Sequence, residues 1–185
     1  MKDLPRGAVT FLFSEIDGST RLVHEMRGGW DEVLAEHQRL LREAIQRHGG
    51  HEVGTEGAAV LVAFPSARGA VLAALEAQRA LTRHPWPEGA AVEVRMGIHT
   101  GQAVPISGHY GGSALDRVAR ICAAGHGEQV LVSQTTQTLL EDEEEEDSEV
   151  ALRDLSNRSA ENLRGCPYVS LLSPRSAKKV FAIRR

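Results

Sequence analysis

The chain has 185 residues, of which 42% are hydrophobic and 25% are charged, and its formal net charge at pH 7 is −4. This length and composition fit one globular domain with its own core. The small negative charge argues against a nucleic-acid surface spread over the whole domain. No stretch approaches the roughly 20 apolar residues of a membrane span, and MKDLPRGAVTFLF lacks the pattern of a signal peptide.

The two cysteines, Cys122 and Cys166, are far apart in the sequence and lack metal-ligand spacing. Cys122 falls in a helical pattern, so we expect a small, buried, apolar residue there. A cytoplasmic location fits this cysteine usage.

The first half of the chain predicts an alternation of strands and helices. The β-branched and aromatic run GAVTFLF is typical of a strand buried on both faces. Two segments with helical periodicity follow this strand. After them, two short apolar runs on either side of a tight turn predict a β-hairpin. The predicted elements are a strand at 7–13, a helix from 19, a helix at about 31–48, hairpin strands at 51–55 and 60–64, and a helix at 66–83.

The second half predicts more short elements around one acidic segment. The stretch AVEVRMGIHTG alternates as a strand does, and QAVPI is expected to pair with it. The acidic run at 141–149 is expected to be a solvated loop. The other predicted elements are a helix at 113–124, a strand at 128–133, a helix capped by Ser133 through Leu140, and short edge strands in ALRDL, YVSLL and KKVFAI.

These elements predict an α+β fold in which one sheet is covered by helices. No repeat or linker divides the chain, so we expect a single domain over 1–185. Its core would span about 7–140, followed by the acidic loop at 141–149 and C-terminal strands in 150–185.

Four stretches in series resemble the class III nucleotidyl cyclases, the adenylyl and guanylyl cyclase catalytic domain. The resemblance implies a ferredoxin-like βαββαβ core with an antiparallel sheet, which dimerises head to tail with sites between subunits. In that family, MgATP or MgGTP loses pyrophosphate as its own 3′-oxygen attacks the α-phosphate. The stretches are VTFLFSEIDGSTRL, HGGHEVGTEGAAVLVAF, VRMGIHTGQAV and HYGGSALDRVARICAAGHGEQVLVS.

The resemblance implies a metal site that is incomplete in this chain. Two divalent ions in such a site prefer carboxylate oxygens, and Mg²⁺ or Mn²⁺ would be the cofactor of any remaining activity. The family's first metal aspartate falls on Glu15, and the accompanying backbone carbonyl belongs to Ile16. The hairpin aspartate falls on Ala58, which has no ligand atom. Asp17 follows where the family often has Glu, a position that is not a metal ligand in the family.

The resemblance also places the nucleotide-reading positions. The purine-reading lysine falls on Gly54 and its acidic partner on His109. The ribose-orienting asparagine falls on Asp116, and only the phosphate-binding arginine is unchanged, as Arg120. Ordinary adenylyl cyclase activity is therefore not expected.

A separate anion site is possible where the helix at 113–124 begins. Gly111 and Gly112 would let backbone amides approach a phosphate, with Arg117 and Arg120 on one side of the helix. The alternative is that Asp116 pairs with one of these arginines.

Several side chains leave two interpretations open. Glu15 could bind a metal cation or a cationic side chain, and Glu56 could reach a metal or be an exposed turn residue. His109 is either a ligand group or a loop histidine bonded to backbone, whereas His99 is expected to be packed in the sheet. Three further histidines lack zinc-site spacing, namely His24, His48 and His51.

Three hypotheses about function remain open. The first is a degenerate cyclase-homology domain that acts as a signalling or regulatory module, as a homodimer or paired with another cyclase domain, and holds a nucleotide or cyclic dinucleotide. The second is a Mn²⁺-dependent enzyme for a different nucleotide, with Arg120 as phosphate clamp and a rebuilt carboxylate set of Glu15, Asp17, Glu56 and Asp116. The third is a protein-interaction domain without a small ligand.

Overall fold

The computed structural model of the chain describes residues 4–26, 28–88, 90–142, 150–154 and 169–174, and for the last two ranges it describes the backbone alone. Within these residues the elements in chain order are β1 (Gly7–Ile16), α1 (Ser19–Met26), α2 (Trp30–Arg47), β2 (His51–Glu56), β3 (Ala59–Phe64), α3 (Ala67–Arg83), β4 (Val94–Ala103), α4 (Ser113–Ala124), β5 (Val130–Ser133), α5 (Gln134–Asp142), β6 (Val150–Asp154) and β7 (Val169–Pro174).

The strands form one sheet in the order β2-β3-β1-β4-β5-β7-β6. The first four strands in that order pair antiparallel and give the βαββαβ core, which confirms the α+β class. The sheet is not antiparallel throughout, because β4 and β5 pair in parallel. The chain leaves β4 and returns through α4, and such a crossover brings the next strand back in the same direction.

The sheet is covered on both faces, which explains why most of β1 is apolar. Leu12 and Ile16 belong to the larger hydrophobic cluster, together with residues of α2 and α3. Phe11 belongs to a second cluster with Val118 of α4. Side chains alternate between the faces of a strand, so a strand in this position packs apolar side chains on both faces.

Gly97 lets α4 lie close to β4. A Cβ atom at this position would lie 2.5 Å from the backbone nitrogen of Cys122 and 2.8 Å from the carbonyl oxygen of Val118. Cys122 itself is fully buried, as predicted. The close contact fixes the helix that carries Arg117 and Arg120 against the central sheet.

Two predicted boundaries are wrong. QAVPI is not a separate strand, because Gln102 and Ala103 continue β4, which pairs with β1 along its whole length. Beyond β4, Ile106 makes only an isolated bridge with His109. The acidic run does not start as a loop either, since Glu141 and Asp142 end α5; residues 143–149, Cys166 and KKVFAI lie outside the described residues.

Side chains cap two helices, and the cap at Ser133 confirms a prediction. The Ser66 hydroxyl accepts a hydrogen bond of 3.1 Å from the Gly69 amide at the start of α3. Ser133 accepts one of 3.3 Å from the Thr136 amide at the start of α5.

Among the helices of the described ranges, none combines the length and apolar character that a membrane crossing requires.

Candidate functional site

Glu15 lies near the end of β1, directly opposite Arg95 of β4. The guanidinium donates two hydrogen bonds to Oε2 of Glu15, of 2.7 Å from Nη2 and 3.2 Å from Nε. Both side chains are partly buried, with 22% of Arg95 and 33% of Glu15 exposed. The structure therefore gives Glu15 a cationic side chain as its partner, which is one of the two alternatives predicted for it.

Asp17 joins three segments at the same end of the sheet. Its Oδ1 lies 3.8 Å from Nη1 of Arg95, and its Oδ2 accepts a hydrogen bond of 3.0 Å from the Gly127 amide. Its own amide donates to the carbonyl of Glu93 at 2.8 Å. Asp17 therefore fastens the turn after α4 and the start of β4 to the end of β1.

The carboxylates around Arg95 stabilise its positive charge. Partial burial works to lower the pKa of Arg95, but the hydrogen bonds and charge of Glu15, with a smaller contribution from Asp17, raise it above its ordinary value. The guanidinium is therefore permanently positive and neutralises carboxylate charge at the end of β1.

Ala58 adds no oxygen to this cluster. It follows Gly57 in the turn between β2 and β3, is only 7% exposed, and belongs to the same hydrophobic cluster as Ile16. Glu56, the carboxylate that could have replaced it, is exposed. In the described residues, no three His, Cys, Asp or Glu side chains converge as metal ligands do. The residues present do not fit a two-metal centre.

The two purine-reading positions offer little to a base. Gly54 is exposed in β2, opposite Leu61 and beside a register shift in that strand. The His109 backbone donates to and accepts from Ile106, at 3.0 and 2.8 Å. The His109 ring is exposed and has no hydrogen-bond partner among the described residues. Its backbone, rather than its ring, makes the loop contacts.

The start of α4, where an anion site was predicted, is exposed. Gly112 precedes the helix with φ of +102° and no side chain caps the first turn. Asp116, Arg117 and Arg120 are exposed, and within the described ranges Asp116 forms no ion pair with either arginine. The structure does not bring Arg120 or Asp116 into contact with Glu15; the resemblance implies that these positions meet across two subunits.

His99 is packed in the sheet, as predicted. Its Nδ1 lies 2.9 Å from the Ser133 hydroxyl, and its side chain is almost fully buried. Burial, with a smaller effect of the Arg117 charge, lowers the pKa of His99 to about 4. The ring is therefore neutral at pH 7.

A chain of buried hydroxyl groups continues from His99 across the sheet. Ser133 is 3.1 Å from the hydroxyl of Thr136, which is 3.0 Å from that of Thr100. Thr100 is in turn 2.9 Å from the hydroxyl of Thr10. The chain ties α5 and β5 to the two central strands.

Arg95 was not among the predicted site residues, although it stands in the same VRMGIHTG stretch that carries the resemblance. Its importance follows from facing Glu15, and that requires the register of β1 on β4. The sequence did contain one signal, the length of β1 and β4. Once both ends of two antiparallel strands are known, their lengths fix which residues face each other.

The adenylate and guanylate cyclase catalytic domain matches residues 1–165 of the chain. An adenylate cyclase of Mycosarcoma maydis is 36% identical over 154 residues, which cover 70% of this chain and 6% of that protein. An uncharacterized protein of Mycobacterium tuberculosis is 31% identical over 138 residues, covering 74% of this chain and 46% of that protein.

The solved structures agree with the fold. A structure of a Trypanosoma brucei adenylate cyclase in its monomeric state superposes with a TM-score of 0.75 and 26% identity, covering 93% of this chain and 90% of that one. The present chain spans less than half of the two curated relatives' length. The chain belongs to the adenylate and guanylate cyclase catalytic domain family.

Proposed function

We propose that this chain is a cyclase-fold signalling module that lacks ordinary adenylyl cyclase activity. It pairs with a second copy or with another cyclase domain, and it holds a nucleotide or cyclic dinucleotide in the cleft between them. The proposal rests on two observations: Glu15 pairs with Arg95, and Ala58 stands where the resemblance implies a second metal carboxylate.

The chemistry of cyclisation explains why this matters. The ions must polarise both the attacking hydroxyl and the phosphate chain, and Mg²⁺ demands near-octahedral oxygen ligands. Loss of one group that stabilises transition-state charge commonly costs about 10² to 10³ in rate. The effects of groups that act together in one catalytic unit are not independent. Further missing groups therefore lower the rate by less than the product of their separate effects.

The features that remain support ligand binding and pairing. Arg120 is exposed on α4, and the uncapped first turn of that helix presents backbone amides to solvent. Phe13, Leu61 and Val53 remain partly exposed on the sheet face that carries α4. An apolar surface of this kind supports docking of a second domain.

Incubation of the purified chain with each nucleoside triphosphate and Mg²⁺ or Mn²⁺ tests the inactivity. We expect no cyclic nucleotide above the level of the Arg120→Ala variant. Product that this substitution abolishes would overturn the proposal.

Nucleotide binding is tested separately by thermal shift. A ligand at about a hundred times its Kd stabilises the folded chain by about 2.7 kcal/mol. A shift with a nucleotide or cyclic dinucleotide that Arg120→Ala reduces supports the module. No shift with any of them, together with self-association, would favour a pure protein-interaction domain.

A second candidate is a Mn²⁺-dependent cyclase with an altered substrate. It is favoured by one observation, which is that carboxylates of Glu15 and Asp17 both face the same cation, Arg95. This candidate predicts product with Mn²⁺ but not Mg²⁺, lost in Glu15→Gln.

A further inference from the structure

We propose that the buried hydroxyl chain holds His99 as the tautomer protonated at Nε2, and that this ring donates a hydrogen bond to an anionic oxygen at the start of α4. The inference deepens the proposed function and rests on it for the source of the anion, because a nucleotide in the cleft carries phosphate groups. The state of the ring itself can be measured without any ligand.

The direction of the hydroxyl chain follows from its protons, since each hydroxyl has one proton to donate. In one direction every hydroxyl donates toward the histidine, and Nδ1 of His99 accepts the last hydrogen bond. In the opposite direction Nδ1 carries a proton, and the hydroxyl proton of Thr10 has no acceptor within the described residues. The members of the chain, in order, are Thr10, Thr100, Thr136, Ser133 and His99.

The burial of Thr10 decides between the two directions. Thr10 is only 1% exposed, so water does not supply the missing acceptor. A buried donor without an acceptor is costly, which favours the direction that ends at His99. The ring is neutral at pH 7, because burial lowers its pKa to about 4. Since Nδ1 accepts from Ser133, the proton of the neutral ring is on Nε2.

Nε2 of His99 lies beside the first turn of α4. A Cβ atom at Gly101 would lie 3.4 Å from Nε2 and 2.9 Å from the Cβ atom of Ala114, so the glycine leaves the space between the ring and the helix unfilled. His99 is only 4% exposed, and Nε2 has no hydrogen-bond partner among the described residues. Unlike the ring nitrogens of His37, however, Nε2 is not sealed from solvent. The ring therefore has one free donor, placed at the side of α4.

The surroundings of this donor favour an anionic acceptor. Arg117 is exposed, has no ion pair within the described residues, and its positive charge acts on the His99 ring. No side chain caps the first turn of α4 after Gly112, so backbone amides there are further donors. Donors and a positive charge together suit a phosphate or carboxylate oxygen, and they disfavour an ammonium group.

Asp116 does not oppose this assignment, although it is also in the first turn of α4 and exposed. At about 100° per residue, Asp116 is about 160° around the helix from Ala114, whereas Arg117 is about 60° from it. Ala114 is the residue that faces Gly101 and the ring. The arginine is therefore on the side of His99, and the carboxylate is on the outer side of the helix.

Nitrogen NMR of the ligand-free chain, with isotopically labelled histidine, tests the tautomer. We expect His99 to carry its proton on Nε2 at pH 7, and the Nδ1 resonance should move in Ser133→Ala, which removes the donor to Nδ1. Thr138→Val is the matched control, because its hydroxyl lies on α5 outside the chain. A proton on Nδ1 would overturn the proposal, as would an Nδ1 resonance that Ser133→Ala leaves unmoved or that both variants move equally.

Inorganic phosphate is the probe for the anion. In the wild-type chain it should shift the Nε2 proton resonance of His99 in a saturable way, and this measurement needs no variant to fold. His99→Leu should weaken phosphate binding by about fivefold, the value of one hydrogen bond. His99→Gln, whose amide group can donate, should retain part of that binding. Absence of a saturable shift at His99, or equal binding by His99→Leu, would overturn the proposal.

Two arginine variants separate a built site from a general effect of charge. Arg117→Gln should weaken phosphate binding at His99. Arg68→Gln is the matched control, since Arg68 is exposed in the first turn of α3 and has no ion pair within the described residues. Equal weakening in both variants would show that phosphate responds to net charge alone, and it would contradict the assignment to α4.

A nucleoside triphosphate separates this inference from the proposed function. If the cleft nucleotide supplies the anion, the triphosphate should compete with phosphate at His99. Phosphate binding at His99 without any nucleotide binding would remove the nucleotide from the proposed function and leave the donor site standing. A thermal shift with nucleotide that leaves the His99 resonances unmoved would remove only the present inference.

Discussion

Glu15 and Arg95 are direct cross-strand neighbours, and their side chains form a hydrogen-bonded ion pair at 2.7 Å at the end of the two central strands. The register that buries the core of β1 therefore also decides which charge faces Glu15. Fold and site are linked here, because a shift of either strand by one residue would turn its side chain to the other face of the sheet and separate the pair.

This ion pair should contribute measurably to stability. Glu15→Gln or Arg95→Met is expected to lower the free energy of unfolding by about 1–2 kcal/mol, because each leaves a partly buried charged partner behind. The double variant should lose less than the sum of the two. Urea denaturation of the four proteins gives the coupling energy, and strictly additive losses would contradict the pair.

A carboxylate restored at position 58 should not be tolerated by the present fold. Ala58→Asp places a charge at a 7% exposed position in a hydrophobic cluster, and we expect a loss of about 1–3 kcal/mol. Ala58→Asn, which has nearly the same size, is the control for shape. A larger loss for Asp than for Asn at pH 8, and a smaller difference near pH 4, identifies charge as the cause.

His37 should make the chain less stable in acid. It is fully buried in α2, neither ring nitrogen has a hydrogen-bond partner within the described residues, and burial lowers its pKa to about 4. The unfolded chain takes up the proton below about pH 6.5 while the native chain does not. Stability is therefore lost as the pH falls from about 6.5 to 4, by on the order of 3 kcal/mol from this group.

His37→Leu removes that contribution, and thermal unfolding over the same pH range measures it. His99, whose pKa is also lowered to about 4, continues to contribute in the variant. The stability of the variant should therefore vary less with pH than that of the wild type, but it should still vary. An unchanged profile would show that His37 is solvated or paired in solution.

The buried hydroxyl chain predicts a specific effect at α5. Thr136→Val keeps the shape of the side chain but removes one hydrogen-bond partner from each of the hydroxyl groups of Ser133 and Thr100, at a cost of about 1–3 kcal/mol. Thr138→Val is the control, since Thr138 is exposed and its hydroxyl donates to the Gln134 carbonyl, outside the buried chain. Hydrogen exchange should quicken in α5 in the first variant alone. Equal behaviour of the two would contradict a connected chain.

Much of the fold follows from local sequence patterns. The apolar run of β1, the hairpin around Gly57 and the period of α2 and α3 are local signals, and the observed elements agree with them to within a few residues. The end of β1 was underestimated, because Ser14 and Glu15 look like a loop until their pairing with β4 is known.

The candidate site is less local. Ala58 and Glu15 could be placed from the resemblance, but the partner of Glu15 lies 80 residues away. The same is true of Asp17, whose bond to Gly127 spans 110 residues. Contacts at such separations depend on strand register and on where α4 returns, which no short pattern contains.

Anomalous scattering at the manganese edge, from crystals grown with Mn²⁺ and a non-hydrolysable nucleoside triphosphate, tests the central claim most directly. We predict that no manganese peak lies within bonding distance of the Glu15 carboxylate, while Arg95 keeps its hydrogen bonds to that side chain. Two peaks at the end of β1, with Arg95 turned away from Glu15, would contradict the account.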